Sequence, residues 1–180
     1  PMSHDPSVKP QTQIFSKGYD PQRSEGAATP PVFRTSTLLF KTAEEGKRAF
    51  EIAYGLSPMQ EGESPALIYT RVNNPNTEIL EDKAACWDGA EEAALFGSGM
   101  GAVSSTCLAF LRPVDALAFS DPVYGCTEFF FRRVLPQFGI RTVPFPAGAT
   151  REEMERIVAG DPAIKVLYIE SPANPTMMLS

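Results

Sequence analysis

The chain has 180 residues, about one domain's length, and its 43% apolar and 10% aromatic side chains suit a buried core, not a disordered chain. Sixteen Lys and Arg against 22 Asp and Glu leave a net charge of -6 without a basic run, so nucleic acid and anionic membrane surfaces are excluded as first partners. No window approaches the ~18 uninterrupted apolar residues of a membrane span. The N-terminal stretch also lacks a signal-peptide core, and a cytoplasmic protein is expected. Cys86, Cys107 and Cys126 are widely spaced, and the one histidine is His4, so neither a metal site nor a disulfide framework is expected. Pro1 stands ahead of Met2, the expected start of translation, and is set aside.

In chain order, Pro6, Pro10, Pro21, Pro30 and Pro31 deny residues 2–36 any sustained periodicity, and an extended arm is predicted. Thr42-Ala43-Glu44-Glu45 is a capping box, and with Gly55 as a stop it predicts a helix. The Gly, Ser and Pro content of 55–65 predicts a loop. A short apolar stretch follows at Ala66 to Tyr69, then a second loop through Asn73-Asn74-Pro75-Asn76. From Thr77 the spacing of Leu80, Ala84 and Trp87 is helical as far as Gly89. The arm and first helix (1–60) are thereby separated from an α/β region (61–180).

In that region strand-length apolar runs alternate with helical segments. Strands are predicted at Ala93 to Phe96, Ala116 to Phe119, Ile140 to Phe145 and Ile164 to Ile169. Helices are predicted at Met100 to Leu111, at Thr127 to Leu135 and from the capping box Thr150-Arg151-Glu152-Glu153 to Gly160. This order implies right-handed crossovers and a parallel sheet with helices on both faces. Ligands of such sheets bind outside the carboxyl ends of the strands, where three distinctive turns fall. They are Gly97-Ser98-Gly99-Met100-Gly101, Asp121-Pro122-Val123-Tyr124-Gly125 and Glu170-Ser171-Pro172-Ala173-Asn174-Pro175-Thr176.

The first turn has two ligand readings. Glycines before a helix let backbone amides approach a phosphate. Gly97, Gly99 and Ala102 also satisfy G-x-G-x-x-A, with Asp121 at the end of the next strand as a ribose-binding acid, so a dinucleotide-binding oxidoreductase is an alternative. Against it, some 90 residues precede a strand that usually opens such a fold. A plain tight turn needs no ligand at all. Asp121 would equally serve as a helix cap, and Glu170 as a residue that places its turn.

Taken together, Tyr69-Thr70-Arg71 with Asn74-Pro75, Ser98-Gly99-Met100, Asp121 with Tyr124-Gly125-Cys126-Thr127, and Glu170 through Thr176 resemble the Cys/Met metabolism family of pyridoxal-phosphate (PLP) enzymes, the cystathionine γ-synthase, cystathionine γ-lyase and methionine γ-lyase group. The resemblance covers roughly residues 30–180. It implies an aspartate-aminotransferase-like large domain of fold type I, with pyridoxal 5'-phosphate as cofactor. It further implies that Ser98, Gly99 and Met100 hold the cofactor phosphate, that Tyr124 stacks on the pyridine ring, and that Asn174 bonds the ring hydroxyl oxygen. Tyr69 and Arg71 would reach a neighbouring subunit's phosphate, making a homodimer or homotetramer with shared sites.

In this resemblance Tyr124 is also the catalytic residue, with a lowered phenol pKa, moving protons at the substrate amine or the leaving sulfur. Cys126 is expected on the substrate side, because Cys follows Tyr-Gly in methionine γ-lyases where cystathionine-handling members more often have Gly. The implied reaction is γ-elimination on methionine or a related amino acid, with γ-replacement on an activated homoserine as the alternative. Asn76 and the length of the 55–65 loop depart from the family pattern. The family's pyridine-pairing Asp and cofactor-bearing Lys have no counterpart up to Ser180, and Lys9, Lys17, Lys41, Lys47, Lys83 and Lys165 are ill placed to substitute. The expectation is therefore the front portion of an enzyme, and a catalytically dead binding or dimerisation piece is a third reading.

Overall fold

The computed structural model describes residues 8–63 and 65–180, so the readings of Pro1, Met2, His4 and Pro6 lie outside the described residues. The chain forms two compact units, Pro1–Leu95 and Phe96–Ser180. The expected boundary near residue 60 instead falls inside the first unit. The reason is local: Thr37 bridges Tyr69 in antiparallel fashion, and the Asn76 side chain accepts from the Phe33 amide and donates to the Pro31 carbonyl. Asn76 therefore ties the arm to the start of the next helix.

In the first unit, helices α1 (Pro10–Gln13), α2 (Ala43–Ala53) and α3 (Pro75–Asp88) accompany a 3₁₀ turn at Pro21–Ser24. The arm is less extended than its prolines suggest, because Pro at the first helical position costs no hydrogen bond and both short turns begin that way. Tyr19 is buried and donates to the Ala27 carbonyl, closing the arm on itself. Thr42 caps α2 by accepting from the Glu45 amide, but the Glu45 carboxylate reaches past it to the Lys41 amide. Residues 55–63 are held by Arg48, whose guanidinium donates to both Glu63 carboxylate oxygens, to Ser57 Oγ and to the Pro58 carbonyl. Those bonds, with one from the Gln60 amide, hold the Glu63 carboxyl down at about 2.

Helix α3 starts two residues earlier than its apolar spacing indicates, since Asn74 Oδ1 accepts from the Asn76 amide and Pro75 fits the first turn. It stops at Gly89, which takes the left-handed conformation (φ 65°) that glycine adopts without Cβ strain. Its buried positions are Ala85 and Cys86, while Leu80, Ala84 and Trp87 point outward.

The second unit contains α4 (Gly99–Phe110), β1 (Ala116–Asp121), α5 (Gly125–Phe129), β2 (Arg141–Pro146), α6 (Arg151–Gly160) and β3 (Ile164–Tyr168). After α5 the chain widens into a π-type turn at Phe130–Val134 and then tightens to 3₁₀ at Leu135–Phe138, with Pro136 unable to continue an α-helical ladder. The sheet is parallel in the order β2-β1-β3, with Ala116 opposite both Arg141 and Ile164. Ala93 to Phe96 is not a strand: no ladder partner meets it among the described residues, and the Leu95 amide donates to the Glu81 carboxylate instead. Three strands therefore replace the predicted four.

Alternation along β1 assigns the two faces. Leu117 and Phe119 pack with Cys107, Leu111, Val123, Phe131, Leu135 and Ile140, which brings α4 and the segment after β1 onto one face. Ala116 and Ala118 pack with Phe145 and Ile164, and Met154 and Ile157 of α6 cover that side. Helices thus lie on both faces, as two right-handed connections require when the first runs from β1 to β2 and the second runs back past β1 to β3. Thr150 and Glu153 close a full capping box on α6. Thr150→Ala should therefore cost about 1 kcal/mol, read as a lowered urea midpoint at unchanged slope, with Glu152→Ala as the near-neutral control. A midpoint unchanged by Thr150→Ala would show that the cap contributes nothing.

Candidate active site

Strand order reverses at β1, with β2 on one side and β3 on the other, and this is where doubly wound sheets open a crevice beyond their carboxyl ends. The turn after β1 carries Tyr124 and the turn after β3 carries Asn174. Their backbones converge on one atom: Glu170 Oε1 accepts from the Tyr124 amide at 2.9 Å and from the Asn174 amide at 3.0 Å. Glu170 is itself seated by its own amide, which donates to the buried Ser120 Oγ at the end of β1, and by Tyr168, whose hydroxyl lies 3.5 Å from Glu170 Oε2. Burial raises the Tyr168 phenol pKa, and the nearby Glu170 charge adds to the effect.

The start of α4 adjoins the same edge. Ser98 Oγ accepts from the Gly101 amide, and Thr127 Oγ1 in α5 is 3.5 Å from Met100 Sδ. Thr127 is buried, so this contact fixes one helix start against the other. The Gly99 and Met100 amides are first-turn donors with no intrahelical acceptor, and the helix dipole favours negative charge there. A Cβ at Gly97 or Gly99 would meet nothing within 4 Å, so the loop is open at those two positions. A phosphate oxygen fits these first-turn donors.

Cys126 Sγ lies 3.5 Å from the Tyr124 hydroxyl. That hydrogen bond, together with charge repulsion between the two groups when ionised, raises the Tyr124 phenol pKa. The shift is opposite to the lowering expected from the sequence: the neighbour that dominates here is a thiol and not a cation. Asp121 caps no helix. Its carboxylate pairs with Arg132 at 2.7 Å, and Arg132 also binds Glu128 and lies over the Phe119 ring. The Glu128–Arg132 spacing of four residues is a legible helical pair, whereas the link back to Asp121 depends on the turn between them.

Tyr69 and Arg71 belong to the first unit, on the exposed turn after the Thr37 bridge, with the Arg71 guanidinium carbon 5.6 Å from the Tyr69 ring centroid. Asn74 braces this turn by donating to Thr70 Oγ1 and to the Phe33 carbonyl. Cys86 and Cys107 are buried, and burial pushes the Cys107 thiol up to about 11. Lys165 is the one lysine in the second unit. It lies at the amino end of β3, away from the turns, and Nζ donates to the Pro162 carbonyl. Among the described residues no cluster of His, Cys, Asp and Glu suits a metal ion, and no helix is long and apolar enough to cross a membrane.

The G-x-G-x-x-A pattern lacks the preceding strand that a dinucleotide fingerprint needs, because residues 93–96 do not pair. Comparison with known proteins points elsewhere. The family described as Cys/Met metabolism PLP-dependent enzyme matches residues 11–180. L-methionine gamma-lyase of Pseudomonas putida is 36% identical over 94% of this chain, and O-succinylhomoserine sulfhydrylase of Pseudomonas aeruginosa is 30% identical over 84%. The aligned parts are 39% and 34% of those proteins, so the chain spans about two fifths or less of the length of these relatives. Among solved structures, an O-acetylhomoserine (thiol)-lyase of Campylobacter jejuni containing pyridoxyl-lysine monophosphate superposes with a TM-score of 0.80 at 20% identity, covering 96% of this chain and 39% of that one. The parallel sheet flanked by helices is thus the fold of PLP enzymes. The chain belongs to the Cys/Met metabolism family of PLP-dependent enzymes, whose cofactor is pyridoxal 5'-phosphate.

Proposed function

We propose that the protein carrying this chain is a PLP-dependent carbon-sulfur lyase that eliminates the γ-substituent of methionine or a related sulfur amino acid, with water consumed and a thiol, an α-keto acid and ammonia released. The observation that supports this most is the convergence of the Tyr124 and Asn174 turns on Glu170 beside the start of α4, with Cys126 against the Tyr124 hydroxyl. Similarity to methionine γ-lyases over nearly the whole chain supports the choice of elimination.

In this reading Ser98, Gly99 and Met100 hold the cofactor phosphate through the helix start. Tyr124 stacks on the ring, and Asn174 donates to the ring oxygen. Tyr69 and Arg71 reach the phosphate of a neighbouring subunit, where the planar guanidinium pairs two oxygens, so the working unit is a homodimer or homotetramer. When bound, the cofactor supplies an electron sink for carbanion charge at the substrate's Cα and Cβ. The Tyr124 hydroxyl gives a proton to the departing sulfur, a role open to a phenol that is protonated at neutral pH. Cys126 borders that hydroxyl on the substrate side. A cytoplasmic setting agrees with the three free thiols.

The test offers the intact protein pyridoxal phosphate and then methionine alone, or O-succinylhomoserine with a thiol. Expected are a visible absorbance band abolished by borohydride and α-keto acid from methionine without an added thiol. Turnover confined to the activated homoserine with a thiol would favour γ-replacement, the reading that similarity to O-succinylhomoserine sulfhydrylase supports. Tight NAD binding without such a band would sink both.

A further inference from the structure

Tyr124 and Asn174 stand on turns that follow different strands, yet both backbones end on a single carboxylate oxygen. Two amide nitrogens bonded to one oxygen at 2.9 and 3.0 Å cannot be more than about 6 Å apart. That oxygen therefore sets the spacing between the two turns. The arrangement also fills a gap in the local structure, because Tyr124 is the N-cap of α5 and supplies no side-chain cap of its own. An acceptor from 46 residues further along takes that amide. Glu170 is in turn braced from within the sheet by the fully buried Ser120 hydroxyl on its amide and by Tyr168 on Oε2.

Resting on the cofactor reading above, we propose that Glu170 is the positioning residue of this site, holding the Tyr124 and Asn174 turns at one separation and so setting the seat of the cofactor ring between them. Glu170 itself touches no reacting atom in this proposal. The quantity that matters is a shared acceptor oxygen at a fixed place, and the negative charge is incidental to it.

Two variants separate these ideas. Glu170→Gln keeps a side-chain oxygen that accepts from both amides, and Glu170→Ala removes it. Both amides belong to exposed residues that water can reach, so neither change leaves a buried donor stranded. Pyridoxal phosphate affinity is measured in the intact protein by equilibrium titration, with circular dichroism of the bound cofactor band as a second readout. Glu170→Ala should weaken binding by on the order of 10- to 100-fold, by analogy with the loss of outer-shell groups that orient metal ligands, and should change the dichroic band. Glu170→Gln should remain within about 3-fold of the parent and keep its band. Amide hydrogen exchange without cofactor should show Tyr124 and Asn174 losing protection together in Glu170→Ala.

Parent-like affinity and dichroism in Glu170→Ala would overturn the proposal while leaving the cofactor reading intact. Glu170→Gln as weak as Glu170→Ala would overturn it as well, by making charge the relevant property. Persistent protection of both amides in Glu170→Ala would show that the clamp does not exist, whatever binds. A parent protein that takes up no pyridoxal phosphate would remove the cofactor reading itself, a result distinct from the other three.

Discussion

Tyr124→Phe should lower kcat for methionine cleavage by about two to four orders of magnitude, the range associated with losing one positioned proton-transfer group. The substitution keeps the aromatic ring and its backbone anchor on Glu170 Oε1, so pyridoxal phosphate affinity should change by no more than a few-fold. What disappears is the hydroxyl beside Cys126 Sγ, the group assigned to protonate the leaving sulfur. The pH profile provides an independent check. Cys126 raises the Tyr124 phenol pKa, and a proton donor is lost as pH rises through its pKa. Removing the thiol in Cys126→Ala should lower that pKa and move the alkaline fall in kcat to lower pH. If Tyr124→Phe retained more than a tenth of the parent kcat, the hydroxyl would have no part in the rate-limiting chemistry. An alkaline limb unmoved by Cys126→Ala would assign it to another group.

The outline of the second unit is legible in the sequence because each of its signals is local. The capping box at Thr150 depends on four neighbouring residues, and the strand at Ala116 is a short apolar run between turns. Ala93 to Phe96 has the same local appearance but no ladder partner among the described residues, and strand identity depends on pairing that a sequence window does not contain. Site residues divide in the same way. Ser98 as a helix cap, Glu128 with Arg132 as a helical pair and the Asn174 amide on Glu170 involve residues three or four apart, whereas the Tyr124 amide on Glu170 and the bond from Asn76 to Phe33 join residues more than 40 apart. The outward face of α3 is the clearest failure of periodicity: Leu80, Ala84 and Trp87 have helical spacing, but Ala85 and Cys86 are buried. A helical apolar stripe gives the period without saying which element covers it.

Phe131→Ala should produce the largest loss of stability among single core truncations in the second unit, about 3–5 kcal/mol by analogy with other buried Phe truncations. Phe131 has no exposed surface, and it packs against Phe119 at 5.2 Å between ring centroids and edge-on against Tyr168 at 5.0 Å. It lies in the π-type turn whose extra width presents consecutive rings, Phe130 and Phe131, toward the sheet. A truncation here opens a void between the π-type turn and the face formed by β1 and β3, which neither strand can fill without breaking its ladder. The loss is a large fraction of the ~5–15 kcal/mol that keeps an ordinary domain folded. Because Tyr168 also contacts Glu170, the same void should loosen the Glu170 carboxylate and weaken pyridoxal phosphate binding. Phe138→Ala provides the comparison on the same segment: its ring is more than half exposed, and its removal should cost about 0.5 kcal/mol or less. Chemical denaturation followed by tyrosine and cofactor signals in parallel would measure both effects, because a protein of several units need not unfold in one step. Equal midpoints for Phe131→Ala and Phe138→Ala would mean that burial in this sheet does not govern stability. A destabilised Phe131→Ala protein with unchanged cofactor affinity under native conditions would separate the core from the Glu170 anchor.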